Sequence, residues 1–371
     1  MPHRINVTQR SDGRYVATVQ VAGVRKYVYG ATPADVRARV AELDQQVTSA
    51  GRLPTPGRRT VADLLTAWLD AIGPTVRPKT MADYEGTVRR HLVPGIGLVR
   101  LARLDASHLQ RVYARLAGAG HHRTAHRAHL IMGQACRIAV RWGWLAHNPA
   151  DRALPPSYRP VRRGVWDTRQ LGVFLEATTD HRFGPLWAVL VATGMRLGEA
   201  LALTWSDVDL SAGTLTVRRT ISRVGGQWVR GEPKTGAGRR AVVLPSDALA
   251  ALRHQRAHVA EARLRAGSAW NDEGLVFPNL AGGPIHANKI ENELAEACKR
   301  YGLPPLTPHG LRHLHASLLL AGGVPVPDVS RRLGHASSAI TLAIYSHALP
   351  GRDQLAAEAY ERAVGRTLAS V

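Results

Sequence analysis

The sequence predicts a multidomain, mainly α protein with small β-sheets: an N-terminal sheet-plus-helix module, an all-α module, and an α+β module that ends in a helical tail. Three observations carry this. The chain has 371 residues, more than a single domain of about 100–200 residues uses. Two segments rich in Pro and Gly, Gly51-Arg52-Leu53-Pro54-Thr55-Pro56-Gly57 and Leu154-Pro155-Pro156 through Arg162-Arg163-Gly164, read as connectors. Apolar residues recur every second position before the first connector, at helical spacing between the two, and in both patterns after the second. The expected domains are therefore 1–57, 58–160 and 161–371.

In the first module Tyr15, Ala17, Val19 and Val21 alternate with polar neighbours, Asp12-Gly13 supplies a turn, and Gly23 separates a second run from Val24 to Tyr29. Thr32-Pro33 gives an N-cap with proline in the first turn. Val36, Val40, Leu43 and Val47 then form the inner face of a helix lying on that sheet.

In the second module Thr60 caps a helix whose inner face is Val61, Leu64, Leu65, Trp68, Leu69 and Ile72. Three more helices are expected, with basic outer faces. They span about 78–92, ended by Val93-Pro94-Gly95; about 106–117, with Leu109, Val112, Tyr113 and Leu116 inward; and about 122–142, with Ile131, Ala135, Ile138 and Trp142 inward. Asn148-Pro149 stops the last.

The third module starts helical, turns to β-branched runs at Thr214–Val217 and Ala241–Leu244 that predict a small antiparallel sheet, and returns to helices broken at Pro304-Pro305, Gly322-Gly323 and Gly334. There is no internal repeat or low-complexity tract.

Composition narrows the function. Lys and Arg number 49 against 28 Asp and Glu, a net charge of +21. All three modules share the excess, so a polyanion, nucleic acid first, is the expected partner. The longest apolar run, Leu186 to Thr193, is far short of the roughly 20 residues of a membrane span. Met1-Pro2-His3-Arg4-Ile5-Asn6 has no apolar segment behind it, so an intracellular setting with no membrane partner is expected. Cys136 and Cys298 are too few for a disulfide framework or a cysteine zinc site and are expected reduced. His122, His126 and His129 fall within one predicted helix but lack a carboxylate or Cys beside them. A DNA-facing or solvated surface is the reading there, and no metal site is expected.

Four stretches of the third module carry chemistry. In Thr307-Pro308-His309-Gly310-Leu311-Arg312-His313, Thr307 is a good N-cap and Pro308 suits the first helical position. His309 and Arg312 then share one face near free N–H groups, where an anion is welcome. In Thr193-Gly194-Met195-Arg196-Leu197-Gly198-Glu199, an Arg opens a helix and a carboxylate three residues on can hold its guanidinium fork while leaving donors for a phosphate. Lys234, in Glu232-Pro233-Lys234-Thr235-Gly236, sits at a turn between strands. It is one of only five lysines in a chain that otherwise uses Arg, and its ammonium can transfer a proton. In Leu333-Gly334-His335-Ala336-Ser337-Ser338, Gly334 ends a helix, His335 lies in the break, Ser337 or Ser338 caps the next helix, and Tyr345 follows two turns later.

Each stretch alone fits an ordinary surface helix, ion pair or turn. Together, Arg196, Lys234, His309, Arg312, His335 and Tyr345 resemble the catalytic set of the tyrosine recombinase (phage integrase) family, in the contexts Thr-Gly-x-Arg-x-x-Glu, a hairpin Lys, His-x-x-Arg-His, Leu-Gly-His and Tyr-Ser-His. The helical module resembles the family's core-DNA-binding domain and the N-terminal sheet its arm-type DNA-binding domain. Leu314 stands where relatives commonly have Thr, without touching a catalytic role.

The resemblance implies site-specific integration or excision of mobile DNA through a 3′-phosphotyrosine and a Holliday junction. Tyr345 would attack, Arg196 and Arg312 clamp the non-bridging oxygens, and Lys234 protonate the leaving 5′-oxygen. His309 would accept the tyrosine proton, His335 hydrogen-bond the phosphate and Glu199 orient its neighbours. No cofactor is needed. Double-stranded DNA at core and arm sites, a homotetramer on DNA, and accessory excision or DNA-bending proteins are the implied partners. The implied location is the bacterial cytoplasm, nucleoid-associated when bound. Lys79, Arg123, Arg127, Arg162 and Arg163 are candidate DNA contacts, and the helical tail after 350 would dock on a neighbour or on its own domain. The alternatives are a non-enzymatic DNA-binding protein on the same fold and type IB topoisomerase-like relaxation.

Overall fold

Thr32 and Thr60 each start a helix by the same reciprocal device. Thr32 Oγ1 accepts from the Asp35 amide while Asp35 Oδ2 accepts from the Thr32 amide, and Thr60 pairs with Asp63 in the same way. The computed structural model describes residues 6–10, 13–21, 24–50, 58–158, 166–233, 236–345, 357–358, 360–362 and 364, with backbone alone at 20–21, 24–26 and 42–50. It divides into two compact units, Met1–Pro160 and Val161–Val371.

The first unit opens with three antiparallel strands, β1 (Val7–Gln9), β2 (Tyr15–Val21) and β3 (Val24–Gly30), with Ala17 opposite Val28. Helix α1 (Pro33–Ala50) follows, and Val36 and Val40 are buried with Ala17 and Val28 in one small core. The side chains of Leu43 and Val47 lie outside the described residues. Strand β1 has too little alternation to be foreseen.

The helical part runs α2 (Val61–Ile72), α3 (Pro78–Thr87), α4 (Val93–Ile96), α5 (Ala106–Gly118) and α6 (His122–Arg141). Val61, Leu64, Leu65 and Trp68 are buried with Leu109, Val112, Tyr113, Leu116, Ile131 and Ala135 in one core, while Ile138 and Trp142 are partly covered. Burial of each large apolar side chain contributes about 1.5–3 kcal/mol. Val93-Pro94-Gly95 does not end the third helix as expected. A π-turn at Val88–Leu92 leads directly into α4, where Pro94 occupies the first turn and its missing N–H costs nothing. The first connector, 51–57, lies outside the described residues, as does the second beyond 158.

The second unit contains α7 (Thr168–Ala177), α8 (Gly184–Thr193), α9 (Leu197–Ala200), β4 (Val208–Asp209), β5 (Thr214–Val217), β6 (Thr220–Val224), β7 (Gln227–Gly231), β8 (Arg240–Val243), α10 (Ser246–Ala266), α11 (Ala287–Arg300), α12 (Pro308–Ala321), α13 (Val326–Leu333) and α14 (Ser338–Tyr345). The expected strand pair is β5 and β8, with Leu215 opposite Val242 and β4 added at the edge. A separate β6–β7 hairpin, turned by Gly225-Gly226, was not expected. Helix α8 is buried along nearly its whole length and is flanked by α10 and α12. A second apolar cluster, Ala316, Leu320, Val329, Leu333 and Tyr345, joins α12, α13 and α14. The architecture is the mainly helical, small-sheet class the sequence predicts.

Candidate active site

Helix α8 ends on Gly194, whose φ of +64° is left-handed and whose missing Cβ would lie 2.6 Å from His315 Cδ2 and 2.7 Å from Leu333 Cδ2. Two residues later Arg196 caps α9. Its Nη1 donates to Glu199 Oε1 at 2.7 Å, and its backbone amide donates to Oε2 at 3.1 Å. Glu199 is 2% exposed and also accepts from Arg240 Nη2 at 3.0 Å. Burial alone would raise the Glu199 pKa, but Arg240 and Arg196 outweigh it and hold the carboxyl below its ordinary range.

Helix α12 begins as expected, with the Gly310 amide donating to Thr307 Oγ1 and Pro308 in the first turn. Arg312 is 1% exposed. Its Nη1 donates to the Gly194 carbonyl and its Nη2 to the Leu333 carbonyl, each at 2.7 Å. Arg196 Nη2 reaches the Gly334 carbonyl at 3.4 Å. Arg240 Nε donates to the Arg332 carbonyl, and Arg332 Nη2 donates to the carbonyls of Ala192 and Val243. Most of these acceptors lie at the C-terminal ends of α8 and α13, where unpaired carbonyls carry partial negative charge. Among the described residues, the guanidinium groups of Arg196, Arg240 and Arg312 thus gather around one carboxylate, that of Glu199. Burial first, then the charges of Arg196 and Arg240, push the Arg312 pKa down to about 9, so it stays cationic at neutral pH.

Gly334, φ +68°, ends α13, and His335 follows with its Nδ1 2.8 Å from Thr341 Oγ1. Burial, then Arg312, Arg196 and Arg240, lower the His335 pKa to about 4. Ser337 Oγ accepts from the Ala339 amide at the start of α14. Tyr345, on the last turn of α14, is 2% exposed, and its hydroxyl lies 2.6 Å from His313 Nδ1. Burial raises the phenol pKa to about 12 against the pull of Arg312. His309 keeps an open side to solvent and meets the His313 ring edge-on at 4.5 Å. Crowding by protein atoms, then His313, Arg312 and Arg196, lower its pKa to about 4.

The structure therefore brings Arg196, Glu199, His309, Arg312, His335 and Tyr345 into one electrostatically coupled site. Lys234 lies outside the described residues, as do Arg162 and Arg163. Lys79 and Arg123 are exposed on α3 and α6, and Arg127 lies 3.9 Å from Asp83. His126 and His129 are half-buried rather than solvated. His129 meets Tyr113 edge-on at 5.5 Å, and among the described residues no group of three His, Cys, Asp or Glu could hold a metal.

Three contributors escaped the sequence reading. Arg240 opens β8 after the Gly-rich turn, His313 lies one turn beyond His309, and Thr341 reaches back to His335. Only His313 had a signal, its place inside His-x-x-Arg-His.

Comparison with known proteins places the chain in a family. Residues 171–352 match the phage integrase family, and residues 61–154 match the phage integrase central domain. A XerC-like tyrosine recombinase of Caldanaerobacter subterraneus subsp. tengcongensis is 27% identical, covering 96% of this chain and 98% of its own. The tyrosine recombinase XerC of Xylella fastidiosa is 31% identical over 57% of this chain and 67% of its own. Among solved structures, the Tn1549 transposon integrase in complex with transposon right end DNA has a TM-score of 0.68 at 20% identity, covering 82% of this chain and 99% of that one. The lambda integrase tetramer bound to a Holliday junction has a TM-score of 0.61 at 18% identity, covering 91% and 94%. The chain belongs to the phage integrase family of tyrosine recombinases, enzymes that cut and rejoin DNA at specific sites. No helix among the described residues is long and apolar enough to cross a membrane.

Proposed function

We propose that this recombinase integrates or excises a mobile element, with Tyr345 as the nucleophile that forms a 3′-phosphotyrosine and releases a 5′-hydroxyl. The observation that carries the residue assignment is the convergence of Arg196, Arg312, His335 and Tyr345 from separate segments onto one site with more guanidinium than carboxylate. Such a site is short of negative charge and suits a phosphodiester, most of all in its transition state. Arg196 and Arg312 clamp the non-bridging oxygens with donors left over from their carbonyl anchors. The His335 tautomer whose Nδ1 accepts from Thr341 Oγ1 leaves Nε2–H to meet the phosphate. His309 borders the same site through its contact with the His313 ring, and Lys234 protonates the leaving 5′-oxygen.

Residues 1–57 serve as the arm-type DNA-binding domain, 58–160 as the core-binding domain, and 161–371 as the catalytic domain with its tail. The central-domain match at 61–154 supports the second of these. Arg123, Arg127, Lys79, Arg162 and Arg163 contribute to the DNA-binding surface. A homotetramer on a Holliday junction, helped by accessory excision or DNA-bending proteins, would act on bacterial DNA in the cytoplasm. The lambda integrase tetramer is the model for that assembly.

The test is incubation with a nicked suicide DNA that carries the core site from the flanks of the protein's own gene, beside Tyr345→Phe, on a denaturing gel. A covalent adduct in the wild type alone is expected. Specific, salt-sensitive binding without an adduct would overturn the reading in favour of a non-catalytic DNA-binding protein.

A further inference from the structure

We propose that His313 is the base that takes the phenolic proton of Tyr345 as its oxygen attacks DNA, and the acid that returns it on religation. The inference rests on the reading of Tyr345 as nucleophile and moves to His313 a role that the family resemblance implied for His309.

The geometry is specific. His313 Nδ1 stands 2.6 Å from the Tyr345 hydroxyl, a full hydrogen bond between residues 32 apart in the chain. Both partners are held in place. His313 follows the buried Arg312 on α12, and Tyr345 is one of the apolar cluster formed by α12, α13 and α14. His309, by contrast, meets the His313 ring edge-on at 4.5 Å and lies within reach of the Arg312 and Arg196 charges.

The chemistry needs such a group. A phenol surrounded by protein and pushed up to about 12 stays protonated at neutral pH, and its neutral oxygen is a poor nucleophile. In the proposed step the Tyr345 Oη–phosphorus bond forms, the phosphorus–O5′ bond breaks, and the phenolic proton passes to His313 Nδ1. The departing 5′-oxygen takes its proton from Lys234. Religation reverses each transfer, so no oxidant, metal or outside proton donor is consumed.

The experiment measures the rate of covalent adduct formation on the suicide substrate by the full-length chain. His313→Ala should slow it about 100-fold or more while thermal melting and salt-dependent DNA binding hold. His313→Gln can still hydrogen-bond the phenol but cannot carry its proton, so it should be slowed equally. Added imidazole should restore part of the His313→Ala rate. A substrate with a bridging 5′-sulfur, whose thiolate leaves unprotonated, should rescue Lys234→Ala and leave His313→Ala slow.

A His313→Gln rate within about threefold of wild type would overturn the proposal in favour of a purely structural hydrogen bond. Rescue of His313→Ala by the sulfur substrate would overturn it by moving His313 to the leaving group. Absence of an adduct from the wild type would remove the underlying assignment as well, whereas a wild-type adduct indifferent to His313 removes this inference alone.

Discussion

Arg240 Nη2 donates to Glu199 Oε2 at 3.0 Å, and both side chains are withdrawn from solvent, so strand β8 is tied to the carboxylate that orients Arg196. Removing the negative partner strands a buried cation. Glu199→Gln should therefore lower unfolding stability by about 3 kcal/mol, read from denaturant melts. It should also slow adduct formation, because Arg196 loses the group that aims its fork. An unchanged melt would mean that the carbonyls alone hold Arg240.

His315 supplies a pH dependence. Its Nε2 accepts from Arg332 Nε at 3.2 Å, and burial, then the charge of Arg332, lower its pKa to about 4. The unfolded chain, with an ordinary histidine near 6.5, binds the proton more readily. The contribution of His315 is thus fully present above about pH 6.5 and lost as pH falls toward 4, reaching on the order of 3 kcal/mol at the acid limit. His315→Gln, which keeps an acceptor but does not titrate, should flatten the stability curve across that window. A slope equal to wild type would refute the assignment.

Gly194→Ala tests the turn that presents a carbonyl to Arg312. A Cβ there meets His315 and Leu333 at under 3 Å and must adopt a left-handed backbone. The loss should exceed about 1 kcal/mol, measured as a fall in melting temperature, and adduct formation should drop with it. Gly120→Ala provides the control: its φ is +78° but nothing lies within 4 Å, so only the backbone strain should appear.

Much of this site was legible before folding was considered, because its signals are local. Thr307 with Pro308 announces a helix start, Gly334 a helix end, and Arg196 with Glu199 a pair on one face; each depends on residues within a turn of one another. Arg240 was not legible, since its partner Glu199 is 41 residues away and only the placement of β8 joins them. The bond between His313 and Tyr345 was hidden in the same way. Pro94 misled for a different reason: proline stops a helix except in a first turn, and the π-turn before it created a new first turn.

An anion should change the protonation of the site when it binds. His335 and His309 are held neutral partly by the guanidinium groups around them, and a phosphate or orthovanadate ion would offset those charges. Binding should then take up protons and tighten as pH is lowered from 7 to 5, as calorimetry in two buffers of different ionisation enthalpy would show. Affinity that is flat with pH and no proton uptake would place the anion elsewhere.

The anchors of Arg312 are peptide carbonyls, those of Gly194 and Leu333, and Arg196 leans on a third at Gly334. A side-chain acceptor can be deleted by one nucleotide change; a carbonyl is present whatever residue is encoded. Damage to this clamp therefore enters most directly through Arg196 and Arg312, through Glu199, or through Gly194 and Gly334 at the helix ends. Substitutions in α8 and α13 that keep the buried packing and the helix ends leave these acceptors in place.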